Sequence, residues 1–123
     1  MSDAPQMATG GISFAELAST NVKESEGFYG KLFGWQCQPQ GENFSMFSAP
    51  GGFNGGFCTD YTPSAKGPVL YINCSGVAAK LAEIEAAGGS VLVPSTPLPE
   101  NWGHMGHFKD PHGNRLGLWS MAP

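Results

Sequence analysis

Gly103-His104-Met105-Gly106-His107-Phe108-Lys109, then Asp110-Pro111-His112-Gly113-Asn114, then Arg115-Leu116-Gly117-Leu118-Trp119 read in succession as strand, tight turn and strand. Pro111 fixes φ for the first bend, and Gly113 or Asn114 can take φ > 0, so the chain reverses into a hairpin. His104 and His107 lie on the first strand, His112 lies on the turn, and Trp102 and Trp119 bracket the stretch. Any pocket in this protein should therefore have the hairpin as one wall.

Working outward, Ser95 to Asn101, with Pro97 and Pro99, reads as a loop, and Ser90 to Val93 as a strand. Before them, Val77, Leu81 and Ile84 mark one face of a helix capped by Ser75 and stopped by Gly88-Gly89, and Val69 to Cys74 is a strand. Tyr61 to Pro68 is rich in Pro, Ser and Gly and reads as a linker. In the first half, Ile12, Phe14 and Glu16 alternate with Ser13, Ala15 and Leu17, which suggests a strand. Asn21 with Glu24 resembles a capping box, Val22, Ser25, Phe28, Tyr29, Leu32 and Phe33 line one helical face, and Gly34 sits where the helix should stop. Strands are expected over Trp35 to Gln38, Phe44 to Ser48 and Gly56 to Asp60.

The two halves repeat. A shift of 55 positions carries Phe14 onto Val69, Leu17 onto Ile72, Val22 onto Val77, Tyr29 onto Ile84 and Gly34 onto Gly89. The pattern predicts two strand-helix-strand-strand-strand units, residues 11–60 and 67–120, joined by a linker at 61–66 and preceded by a loose polar tail at 1–10. Each helix covers one face of its own sheet. The two sheets are then expected to curve together around a shared cleft.

Composition excludes several classes. With 123 residues, 41% hydrophobic and 13% charged, the chain can build one globular core and is not a disordered polymer. Six basic residues are scattered and the net charge is -4, so no nucleic-acid partner is expected. Cys37, Cys58 and Cys74 are odd in number and lack C-x-x-C spacing, which points to reduced thiols and a cytoplasmic setting. The first ten residues have no apolar core of a signal peptide, and no run approaches the ~18 apolar residues of a membrane span.

Phe28-Tyr29-Gly30-Lys31-Leu32-Phe33-Gly34-Trp35, the helix end Ala86-Ala87-Gly88-Gly89 and the turn Asp110-Pro111-His112-Gly113-Asn114, in this order on paired units, resemble the vicinal oxygen chelate superfamily. That superfamily includes glyoxalase I, extradiol dioxygenases and bleomycin-resistance proteins. The resemblance implies an α+β fold of two βαβββ modules, curved mixed sheets around a cleft, and a homodimer. It also implies four strand positions that hold a divalent ion through His, Glu or Gln. Here the first falls on Phe14, its counterpart in the second half on Val69, and the last on Gly117, while the remaining one lies in Gly51 to Asp60. That window offers only Cys58 and Asp60. Phe, Val and Gly carry no lone pair for a metal, so no metal cofactor is expected.

The same alternation lines the cleft with Phe14, Glu16, Val69, Tyr71, Gly117 and Trp119, and the family's inward phase on the penultimate strand adds Met105 and His107. This is the mixture expected of a small-molecule pocket, and Gly117 in place of a carboxylate leaves room for the ligand. Glu16 and His107 are the titratable pair that could act as base and acid. The plainer expectation is that Glu16 is a polar anchor to Arg115, Tyr71 or a backbone N–H, and that His107 is a hydrogen-bonded wall residue. His104 and His107, three apart on a strand, should face opposite sides, and His112 should be solvated. Trp35 is expected in the core, and Gly51 to Gly56 is expected to form a mobile loop over the cleft. The leading expectation is a protein that binds a small organic molecule in an apolar cleft without a metal. The alternative is a lyase, isomerase or dioxygenase that uses an atypical metal site or Glu16/His107 acid-base chemistry.

Overall fold

The computed structural model describes residue 9 and residues 12–123; the tail expected over 1–10 lies, residue 9 apart, outside them. Helix α1 (Val22–Phe33) begins where Asn21 accepts a hydrogen bond from the Glu24 N–H (3.1 Å) and ends at Gly34, whose φ of 72° closes the helix through a bond to Gly30 O. Val22, Ser25, Phe28 and Tyr29 are its buried face. Helix α2 (Val77–Ala86) buries Val77, Leu81 and Ile84. Its N-cap is Gly76, with no side-chain cap, and not Ser75. It is capped by Ala87 and stopped, as expected, by Gly88-Gly89, with Gly88 at φ 103° and the Gly89 N–H donating to Ile84 O (2.9 Å).

The strands are β1 (Ala15–Ala18), β2 (Gln36–Pro39), β3 (Phe44–Ser48), β4 (Asn54–Cys58), β5 (Tyr71–Asn73), β6 (Ser90–Pro97), β7 (His104–Lys109) and β8 (Arg115–Ser120). They form two four-stranded sheets with matching orders, β1-β4-β3-β2 and β5-β8-β7-β6. In each the first strand runs parallel to the last and the other pairs are antiparallel. The repeat thus extends to topology and to register, since Glu16 lies opposite Gly56 and Tyr71 opposite Gly117.

Several boundaries differ from expectation. Strand β1 starts three residues after Ile12, because pairing with β4 begins at Ala15 opposite Gly55, and Phe14 is left before the strand. Val69 likewise precedes β5. Strand β4 comes two residues early. Strand β6 continues through Pro94 into the expected loop, with register shifts between Val91 and Val93 and between Val93 and Thr96. It is an edge strand, where a residue without an N–H is tolerated.

One core joins the halves. Tyr29 stacks on Trp35 (centroids 4.6 Å) and Phe57 (5.5 Å), Trp35 stacks on Phe47 (4.3 Å), and Phe33 stacks on Phe108 (6.1 Å). Phe108 shares its sheet face with Gly106, where an added Cβ would come within 2.9 Å of Val77 and 3.1 Å of Leu81. Helix α1 therefore lies against the helix-bearing faces of both sheets. The opposite faces, which carry Glu16 and His107, point outward. With Phe28 and Phe33 packed on Phe108, the faces that carry Glu16 and His107 are not the ones that meet within the chain.

Candidate functional site

Asp110 builds the turn from which β8 departs. Its Oδ1 accepts the N–H groups of His112 (3.0 Å), Gly113 (2.9 Å) and Asn114 (2.9 Å). Its Oδ2 accepts Tyr29 O–H (2.8 Å) and Asn114 Nδ2–H (3.1 Å). Gly113 takes the positive φ, at 110°. Burial, then the Asp110 charge, then the bond to that carboxylate push the Tyr29 hydroxyl well above its ordinary pKa. His112 is not solvated as expected. Its side chain is 4% exposed, its Nδ1 meets Thr20 N–H (3.2 Å) and the Thr20 hydroxyl, and Nε2 lies 3.5 Å from Glu24. The first half covers the turn.

Beyond the turn, the outward face of β7 and β8 presents Met105, His107, Arg115, Gly117 and Trp119, with Tyr71 beside them on β5. Arg115 Nη1 lies 2.8 Å from His107 Nδ1, and Tyr71 Oη lies 2.7 Å from His107 Nε2. A guanidinium only donates, so Nδ1 accepts and the proton of the neutral ring sits on Nε2. The ring then donates to the Tyr71 oxygen, and the Tyr71 O–H is left to point at a ligand. Partial burial, then the Arg115 charge, lower the His107 pKa and keep the ring neutral. Trp119 Nε1 donates to Trp102 O (2.8 Å), which holds the indole at the edge of this face.

Glu16 is exposed on the other sheet, and neither Arg115 nor Tyr71 anchors it. Its neighbour is Tyr61, whose hydroxyl pKa it raises, with Cys58 next in effect. Among the described residues no hydrogen bond or ring contact joins Glu16 to His107. The structure thus keeps Met105, His107, Tyr71, Gly117 and Trp119 together and leaves Glu16 on the far sheet, with Phe14 just ahead of its strand. His104 and His107 do face opposite sides, and Trp35 is buried in the core.

Gly117 offers no room for a ligand. A Cβ there would stand 2.5 Å from the Tyr71 ring, which already covers the glycine. The position where the resemblance places a carboxylate is thus roofed by an aromatic ring, Phe14 is 38% exposed, and Val69 is aliphatic. Among the described residues no three His, Cys, Asp or Glu side chains converge. The donor set does not fit the divalent ion of the resemblance. Arg115 joins the face although it is not among the expected lining residues; its signal in the sequence is the alternation of Arg115, Gly117 and Trp119.

The family model described as Glyoxalase/Bleomycin resistance protein/Dioxygenase superfamily matches residues 11–118. The chain belongs to that superfamily. Members of this glyoxalase superfamily are also found among structural neighbours. A glyoxalase-related enzyme from Fulvimarina pelagi superimposes with a TM-score of 0.74 at 21% identity, over 89% of this chain and 87% of that one. The fosfomycin resistance protein FosX from Listeria monocytogenes gives 0.74 at 16%, over 89% and 92%. Protein ATC0852 from Agrobacterium tumefaciens gives 0.68 at 22%, over 90% and 97%. At these identities the likeness establishes the glyoxalase-like α+β fold. No curated protein matches the chain. Among the described residues of this superfamily member, no helix is long and apolar enough to cross a membrane.

Proposed function

We propose that this glyoxalase-superfamily chain binds a small organic molecule on the outward face of its second sheet and does so without the family metal. The reading is carried by the Tyr71–His107–Arg115 chain of hydrogen bonds, a preset polar handle among Met105, Trp119 and the Tyr71 ring. The Tyr71 hydroxyl offers one directed proton and Arg115 a positive charge, so the face suits a neutral or anionic molecule with an oxygen acceptor and an apolar body. Phe14, Glu16 and Val69 complete the cleft in this proposal only when a second copy supplies the first-sheet face. Each chain has two outward faces, and a two-fold pair would cover both at once, first sheet against second. A homodimer is therefore part of the proposal.

The test is a thermal-shift screen of small oxygen-bearing molecules, followed by calorimetry on any hit. Wild-type protein should bind, and Tyr71→Phe should weaken binding about tenfold by deleting the hydroxyl. Equal binding by Tyr71→Phe and His107→Ala would overturn the site. Elemental analysis of protein purified without chelators should find less than one divalent ion per ten chains, and one tightly held ion per chain would overturn the metal-free reading.

A further inference from the structure

A cavity lies beside this face. It measures about 540 Å3 and opens between the end of α1, the β3–β4 connection and β5. Of the residues assigned above, only Tyr71 borders it. Trp35 and Phe47 form one wall as a stacked pair, and Phe53, 40% exposed, stands at its rim.

Its floor is the free edge of β5. Cys74 N–H donates to Trp119 O (3.0 Å) and Gly117 N–H donates to Leu70 O (2.9 Å), so the even-numbered positions of this stretch serve the ladder to β8. In a parallel pair the intervening main-chain groups point the other way, which leaves those of Tyr71 and Asn73 facing the open edge. At one end stands Lys80. Its ammonium donates to Leu32 O (2.9 Å) and Glu83 (2.7 Å) and lies 5.5 Å from the Phe33 ring centroid. An ammonium has three donors, so one remains for a ligand.

Stacked aromatic walls, unpaired amide groups along one edge and a lysine at the end are complementary to one kind of guest. We propose that this cavity is a second ligand site, separate from the His107 face, for a flat aromatic molecule carrying one anionic group. The aromatic body would lie against the exposed Phe53 ring and the edges of the Trp35–Phe47 pair, and the anion would take the third proton of Lys80. A volume of this size matches drug-sized guests.

The probes are 8-anilinonaphthalene-1-sulfonate, which is anionic, and N-phenyl-1-naphthylamine, which is neutral. Both should bind wild-type protein at one per chain and slow alkylation of Cys74, which lines the cavity, relative to Cys37. Lys80→Met should weaken the sulfonate roughly tenfold and the neutral probe less than twofold. His107→Ala should leave both unchanged, which separates this site from the proposed function. Ala49→Phe fills the cavity and should abolish binding while the circular dichroism is retained. Unprotected Cys74 would overturn the proposal even if Ala49→Phe fails to fold. So would equal loss of both probes in Lys80→Met, or binding that appears only on dilution to monomers, since a second copy would then fill the space.

Discussion

Changing Asp110 to Asn keeps its shape and removes its charge, and five hydrogen bonds converge on that carboxylate. If the amide oxygen stays on the three turn N–H groups, the new NH2 must face Asn114 Nδ2 and Tyr29 Oη. The first contact is then donor against donor, and the second survives only if the tyrosine reverses to accept. Hydrogen bonds to a charged group contribute about 1.5–3 kcal/mol each, so Asp110→Asn should cost about 3–4 kcal/mol. Tyr29→Phe removes one such bond and leaves the carboxylate four others, for a cost of about 1.5–3 kcal/mol. Against a total stability of about 5–15 kcal/mol, both losses are measurable and the protein should still fold. The assay is urea unfolding followed by circular dichroism and by fluorescence, since Trp35 stacks on Tyr29. In the Asp110→Asn background, Tyr29→Phe should cost under about 1 kcal/mol, a coupling of about 1–2 kcal/mol between the sites. A strictly additive cycle, or a cost below about 1 kcal/mol for Asp110→Asn, would refute the idea that this carboxylate ties the hairpin to α1.

The raised Tyr29 pKa has a definite sign. Above about pH 10 the unfolded tyrosine loses its proton while the folded one keeps it, so stability falls with rising pH, and the slope should be shallower in Tyr29→Phe. His107 works the other way, because its pKa is lowered in the folded state. Below about pH 6.5 the unfolded ring gains a proton that the folded ring refuses, so melting temperature should fall more steeply with acid in wild type than in His107→Gln. Gly55→Ala would drive a Cβ into the Phe47 ring and the Ala15 carbonyl and should cost at least about 2–3 kcal/mol in urea unfolding. Gly27→Ala, on an exposed turn of α1 with open space around it, should stabilise by about 0.5–1 kcal/mol; a loss there would mean that the helix does not tolerate its own propensity.

What could be read from the sequence was what adjacent residues decide. Asn21 and Gly34 bound α1 because cap chemistry acts within one turn, and Phe44 to Ser48 alternates because its own sheet is half-covered. What could not be read depends on residues far apart in the chain. His112 looked like a solvated turn residue, yet Thr20 and Glu24, more than eighty positions away, bury it. Gly117 looked like a vacancy, yet its cross-strand neighbour Tyr71 lies over it. The disposition of the two sheets was the largest such unknown. An alternating strand states that one face is apolar, and either face of the other sheet could have met it.

The residues that carried the resemblance lie together in the structure, apart from the outward face proposed as the ligand site. Tyr29 of the first motif bonds Asp110 of the third, and a Cβ on Gly88 of the second would sit 3.7 Å from Pro111. All three motifs therefore meet at one seam, where α1 and the end of α2 dock on the β7–β8 turn. Among the described residues, no side chain of these motifs hydrogen-bonds His107, Arg115 or the Tyr71 hydroxyl. The seam constrains how the two modules dock, because a buried carboxylate that loses its donors is costly in any member of the fold. The outward faces bear no such constraint, since a side chain there can be exchanged without opening the core. A chain can thus retain the whole scaffold while its outward faces change, which is what the metal-free proposal requires of Phe14, Val69 and Gly117.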